Sequence, residues 1–189
     1  LIQTIRSRCQ LLDFNGLPES VIAEALIERQ QLDPKTATKI AHQAQGNYNK
    51  AIKLLSDDNE DLPFEQWFVL WVRAAFKAKG NAAAIQELIT WSEEIAKLGR
   101  ETQKKFLNFC IDMFRQALML NYETKKLVYM EMKVPKFQLE NFAPFVNGNN
   151  INEIFKELSE AMYHIERNGN AKIILTDLSI KLTRLIHKK

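Results

Sequence analysis

Three stretches of this chain carry residue types at spacings that bear on chemistry or on docking. The first is Thr4-Ile5-Arg6-Ser7-Arg8-Cys9. An arginine such as Arg8 offers a rigid planar fork of donors, which suits a phosphate oxygen pair better than a lysine's point charge does. Between the small side chains of Ser7 and Cys9 it reads, from the residues alone, as a surface arginine beside a strand. The second stretch is Gly46-Asn47-Tyr48-Asn49-Lys50-Ala51, a helix start after a glycine stop, with Asn49 and Lys50 as its polar residues. The third is Asn170 followed by Ile174, Leu178 and Leu182, a capping residue and an apolar helical face.

Other constellations are missing from the sequence. No GxxxxGK[ST] loop is present, so the chain cannot cradle a nucleoside triphosphate in that manner. His42, His164 and His187 are far apart, and none sits within a spaced set of Cys, Asp or Glu that reads as a metal site. Glu93-Glu94 and Asp57-Asp58 are adjacent pairs, which point in different directions on a helix and make poor acid–base partners. Phe106, Phe109 and Phe114 read as core. No metal and no cofactor is expected.

The elements that must position these residues are helices. Pro18 opens one with a face of Val21, Ile22, Ala25 and Leu26. Asp33-Pro34 starts a second, with Asp as cap and Pro at the first helical position; Ala37, Ile40, Ala41 and Ala44 share its face. A third covers residues 47–56, with Tyr48, Ala51, Ile52 and Leu55 inward. Residues 56–61 are acidic and polar and form the best linker candidate. Longer helices follow. One carries Trp67, Phe68, Leu70, Trp71, Ala74 and Ala75. The next is capped by Gly80-Asn81, with Ile85, Leu88, Ile89 and Ile95 inward, and a long one spans 101–131. Asn150 is expected to cap a helix bearing Ile151, Ile154, Phe155, Leu158, Met162 and Ile165, and a final helix covers 171–187. The one strand candidate is residues 9–14, and a lone strand does not stabilise itself.

Composition fits this outline. The 189 residues include 6 Gly and 5 Pro, too few for β-rich folds or phosphate-binding loops. A chain this long should bury roughly 70% of its unfolded surface without a disulfide or metal. Lys+Arg 26 against Asp+Glu 23 is too balanced to demonstrate a nucleic-acid footprint. Two distant cysteines, Cys9 and Cys110, suggest a reducing, cytoplasmic compartment. The most apolar stretch, residues 67–76, contains Arg73 and is far short of the ~20 residues of a membrane span. The chain opens at Leu1 in the middle of a pattern and reads as part of something longer.

The Ser7-Arg8-Cys9 tripeptide with Leu11-Leu12-Asp13-Phe14 behind it resembles the Ser-Arg-Cys motif of AAA+ clamp-loader subunits. About 37 residues further on, the segment from Gly46 to Ala51 is similar to that family's second-sensor helix start. There the family's ATP-binding members carry an arginine where this chain has Asn49. Tyr163 to Leu178 looks like the end of the family's collar domain. The order of these features spans nearly the whole chain.

The resemblance implies an all-α protein with a short N-terminal remnant of an AAA+ domain over 1–15. A three-helix lid domain then covers 16–57, and a helical-bundle collar domain 58–189. It implies Arg8 as a trans arginine directed at a neighbour's ATP site, with Ser7 and Cys9 packed beside it. It implies a degenerate second-sensor region at Gly46, Asn49, Lys50 and Ala51. Asn170, Ile174, Leu178 and Leu182 fall to collar interface or packing. The implied partners are gamma/tau-type and delta-type subunits in a heteropentamer, with the sliding clamp and primed DNA met through the whole complex and no membrane. ATP is bound by the neighbours, so this chain itself is no enzyme. Three alternatives stay open: an ATP-binding subunit of the gamma/tau type, with Lys50 as a substitute charge; a helical scaffold or adaptor unrelated to replication; and a transcriptional or recombination AAA+ protein with a similar lid.

Overall fold

The computed structural model describes residues 8, 10, 12, 14–56, 63–122, 132 and 134–188. The described residues are helical throughout, without a strand. The strand expected over 9–14 does not appear at Gln10, Leu12 or Phe14, and its remaining positions lie outside the described residues. The chain divides into two compact units, Leu1–Asp61 and Leu62–Lys189.

The first unit holds α1 (Glu19–Gln30), α2 (Pro34–Ala44) and α3 (Tyr48–Ser56). Asp33 caps α2: its carboxylate accepts from the Thr36 N–H at 2.9 Å, and Pro34 occupies the first turn, where no N–H is needed. Hydrogen bonds from the Thr36 side chain and backbone hold the Asp33 carboxyl below the ordinary carboxylate range. That contribution is complete above the unfolded carboxyl pKa and is lost as pH falls through the lowered folded one. Ala37, Ile40, Ala41 and Ala44 are all buried, as their spacing requires. Against them pack Ile22 and Leu26 of α1 and Ala51 of α3. Four of these seven core side chains are alanine, so the helices approach closely but bury little apolar area. Val21, expected inward, is 44% exposed, because the face of α1 that meets α2 is narrower than its apolar stripe.

The second unit is a bundle of α4 (Phe64–Lys77), α5 (Ala82–Ala96), α6 (Arg100–Asn121), α7 (Leu139–Phe142), α8 (Ile151–Glu166) and α9 (Ala171–Leu185). A short 3₁₀ turn, Ala143–Phe145, follows α7. Cross-links fix the directions. Phe64 packs on Phe106 and Phe68 on Phe114, so α4 and α6 run parallel. Trp71 donates to Ser179 and Phe76 stacks on His187, so α4 and α9 are parallel too. Lys181 pairs with Glu157, and Lys188 with Glu153, which sets α8 antiparallel to α9.

Helix α4 is the hub. Phe68, Val69, Trp71, Val72, Ala74 and Ala75 are buried on it, a face wide enough to meet α5, α6 and α9 together. Trp71 lies at the centre, stacked on Trp91 at 4.9 Å and 3° and edge-on to Phe114. Leu70, expected inward, is 56% exposed, and Ile85 on α5 is 45% exposed. Trp91 takes the inward place on α5 with Leu88 and Ile95.

The helix ends are set by named side chains. Asn81 caps α5 as expected, accepting from Ala83 and Ala84 N–H. The C-terminal carbonyls of α5 are held from the next helix: Gln103 Nε2 donates to Ile95, Ala96 and Leu98 at 3.3, 3.1 and 2.7 Å. Helix α8 ends with Asn168 at φ 65° and Gly169 N–H donating back to the His164 carbonyl. Asn150 departs from expectation. It stands before α8 but makes no capping bond. Its amide is fully buried instead, donating to the carbonyls of Phe145 and Leu185 and accepting from Asn147 N–H.

Candidate functional site

Arg8 is exposed in a turn, and pairs with no carboxylate among the described residues. Its guanidinium is thus available to an external anion. Ser7 and Cys9, expected to pack beside it, lie outside the described residues.

The Gly46–Ala51 stretch has a defined geometry. Helix α2 ends at Gln45 with φ 52°, and Gly46 continues in the left-handed region at φ 82°. A Cβ on Gly46 would lie 3.0 Å from the Cα of Gly16, and the Leu17 N–H donates to the Gly46 carbonyl at 2.8 Å. Backbone therefore meets backbone at this point, fixing the segment before α1 against the start of α3. A side chain at 46 meets both a steric wall and an unfavourable φ. Gly46→Ala should destabilise the first unit by about 1–3 kcal/mol, read from the urea midpoint of that unit's unfolding. An unchanged midpoint would show that the Gly16 contact yields without cost.

Asn47 then caps α3, its side-chain oxygen accepting from Lys50 N–H at 3.1 Å. Asn49 and Lys50 both project to solvent from the first turn, while Ala51 is fully buried against α1 and α2. The fold thus sorts this motif. Gly46 and Ala51 are structural, and Asn49 and Lys50 are the two side chains that face outward. Arg29 lies over the Tyr48 ring at 5.9 Å and ties α1 to α3. No contact among the described residues joins Arg8 to Asn49 or Lys50.

In the second unit, Asn170 caps α9, accepting from Ile173 N–H at 3.3 Å. Leu178 and Leu182 are 4% and 2% exposed inside the unit's own core, and Ile174 is half-buried. Packing is therefore their role within this chain. The residues of α9 that face outward are Lys172, Ile173, Asp177, Ile180 and Arg184. Reading the Leu-rich face alone missed them; the signal was the second, sparser stripe at the same helical period.

Two groups are tuned by their surroundings. Hydrogen bonds that it donates to Glu157 and Asp177 hold the Lys181 ammonium charged well beyond the ordinary lysine range. Complete burial pushes the Cys110 thiol far above its usual value, which leaves it an inert core residue rather than a nucleophile. No cluster of three metal-ligating side chains occurs among the described residues, and no described helix is long and apolar enough to cross a membrane. Compared with protein-family models, with curated proteins and with solved structures, the chain matches none.

Proposed function

We propose that this chain is the lid and collar portion of a sliding-clamp loader subunit, most like the delta-prime subunit of bacterial DNA polymerase III holoenzyme. In this reading it has lost its own ATP site, oligomerises through the second unit, and supplies Arg8 to a neighbouring subunit's ATP. It serves DNA replication without being an ATPase itself. The observation that carries the reading is the pairing of two motifs in one chain: Arg8 exposed within Ser-Arg-Cys, and Asn49 exposed on the first turn of α3 where the resemblance calls for arginine. An exposed position there suits a side chain that reaches toward phosphate. Asparagine carries no charge with which to hold it.

The chemistry asked of Arg8 is electrostatic. A planar cation from a neighbour stabilises charge on the transferring phosphoryl group, and its removal typically costs several orders of magnitude in turnover. In a reconstituted loader, Arg8→Ala in the parent subunit should sharply reduce DNA-stimulated ATPase while assembly by gel filtration stays intact. Unchanged ATPase would overturn the role.

Lys50, exposed beside Asn49, is the feature that favours the ATP-binding gamma/tau class. Isothermal titration of the parent subunit with ATP separates the two. The delta-prime reading expects no heat of binding, and micromolar affinity would replace it with the gamma/tau reading.

A further inference from the structure

Four Phe, Tyr or Trp side chains are exposed among the described residues of the second unit, and three of them, Phe76, Tyr122 and Phe145, meet at one end of the bundle. Helices α4 and α6 run parallel, so their C-termini share that end. Phe76 of α4 meets Phe145 at 4.8 Å and 68°. His187 stacks on Phe76 at 5.0 Å and 22°, its Nδ1 held 2.8 Å from the Thr183 carbonyl. Tyr122 follows α6 and lies against the loop after Phe145: a Cβ on Gly148 would stand 3.0 Å from its hydroxyl, and the adjoining Asn121 donates to the Val146 carbonyl. Cations border these rings. Arg73, Phe76 and Lys77 stand at i, i+3 and i+4 on α4 and so share a face. Arg73 donates to the Lys136 carbonyl at 2.7 Å, which brings Lys136 to the same border. All three cations are exposed, and none has an ion-pair partner among the described residues. Facing them are Glu140, exposed on α7, and Glu153, already paired with Lys188. The balanced charge of the whole chain conceals this local excess.

We propose that this end of the second unit is a binding site for single-stranded nucleic acid. Unpaired bases stack on Tyr122, Phe145 and the Phe76–His187 pair, while Arg73, Lys77 and Lys136 meet the phosphates. Exposed rings beside unanswered cations are the two parts such a site requires, because every base has a π-face and every linkage a negative charge. Along the described residues of 71–80, 121–150 and 181–188, each exposed large apolar side chain is a ring. A protein partner would look for aliphatic contact as well, and these segments offer none on their surface. Nothing at this end reads a base edge in a fixed frame, so binding is tolerant of sequence. A duplex keeps its bases covered and gains only the phosphate contacts. The inference rests on these side chains alone, and its failure would leave the Arg8 experiment untouched.

Fluorescence anisotropy of the chain with a labelled thymidine oligomer of about 20 nucleotides tests it. Binding should be at least about tenfold tighter than to a duplex of the same length. Tyr122→Ala and Phe145→Ala should each weaken it about tenfold, the scale of one lost base stack. Both positions are exposed, so the fold is not at risk, and Tyr122→Phe should bind as the native chain does, since it keeps the ring. The salt dependence should have a slope of about −2, for three phosphates at ~0.7 each on a single strand. Lys77→Ala and Lys136→Ala should each reduce that slope by about 0.7. A uridine oligomer tells RNA from DNA as the source, and tighter binding of either supports the shared site. No binding at low salt, a duplex bound as tightly, or alanine variants that bind like the native chain would each overturn the proposal. So would displacement of the oligomer by polyglutamate as readily as by unlabelled oligomer, which would assign the surface to an acidic protein segment.

Discussion

Replacing Trp71 with alanine should cost the second unit about 3–5 kcal/mol, the range for deleting a large buried aromatic side chain. Trp71 is fully buried, and three helices lose their shared contact when it goes. The stacked Trp91 loses its face-to-face neighbour, and Phe114 the ring whose plane it meets at 82°. A second loss is polar. Trp71 Nε1 donates to Ser179 Oγ at 2.8 Å, and that hydroxyl in turn donates to the Leu175 carbonyl. Removing the indole leaves the buried oxygen without its donor, a penalty beyond the cavity. Trp71→Phe keeps most of the volume and separates the two effects; about 1–3 kcal/mol should remain, carried mainly by the hydroxyl. Urea denaturation followed by far-ultraviolet circular dichroism reads both. A Trp71→Ala loss below about 1 kcal/mol would mean that α4 is not the hub, because a surface substitution costs no more than that.

Asn150→Asp should destabilise the same unit by about 3 kcal/mol or more near neutral pH, although the side chain keeps its shape. The native amide donates to the Phe145 and Leu185 carbonyls at 2.8 and 3.1 Å. A carboxylate turned toward those oxygens donates nothing and repels both. Burial and the facing carbonyls disfavour the charged form, so the carboxyl introduced by Asn150→Asp takes a raised folded pKa. The sign follows from proton binding. Between the unfolded and the raised folded pKa, the native state holds more protons, so stability falls as pH rises. The variant should therefore recover part of its deficit when unfolding is measured at pH 5 instead of pH 8. Asn150→Ala should show no such pH dependence. Equal deficits at both pH values for Asn150→Asp would mean that the carboxylate escapes to solvent.

The sequence made the short helices legible where local chemistry decides them. Asp33-Pro34 and Asn81 both cap the helices that were read from them, and the four inward residues of α2 are buried without exception. Legibility fell where tertiary context chooses among apolar residues. Leu70 and Trp71 are equally greasy neighbours, and only the positions of α5, α6 and α9 turn one in and leave the other out. Asn150 misled for a related reason: an asparagine before a helix is a capping signal, but here a carbonyl 35 residues away claims its amide. Of the candidate site, the structural members were readable. Gly46 requires its φ, and Ala51 its small volume. The charged members, Arg8 and Lys50, are simply exposed, and exposure follows from polarity alone.

The tie between Trp71 and Ser179 closes a loop of 108 residues. The hub helix of the second unit therefore acquires its last neighbour only when the C-terminal helix is present. During synthesis at the ribosome, the first unit, built from helices adjacent in sequence, has its contacts available early. The second unit must wait with its aromatic face uncovered until the final turns emerge. Such a chain depends on protection of that face in the interval, and loss of α9 should leave it trapped in a partly folded, aggregation-prone state.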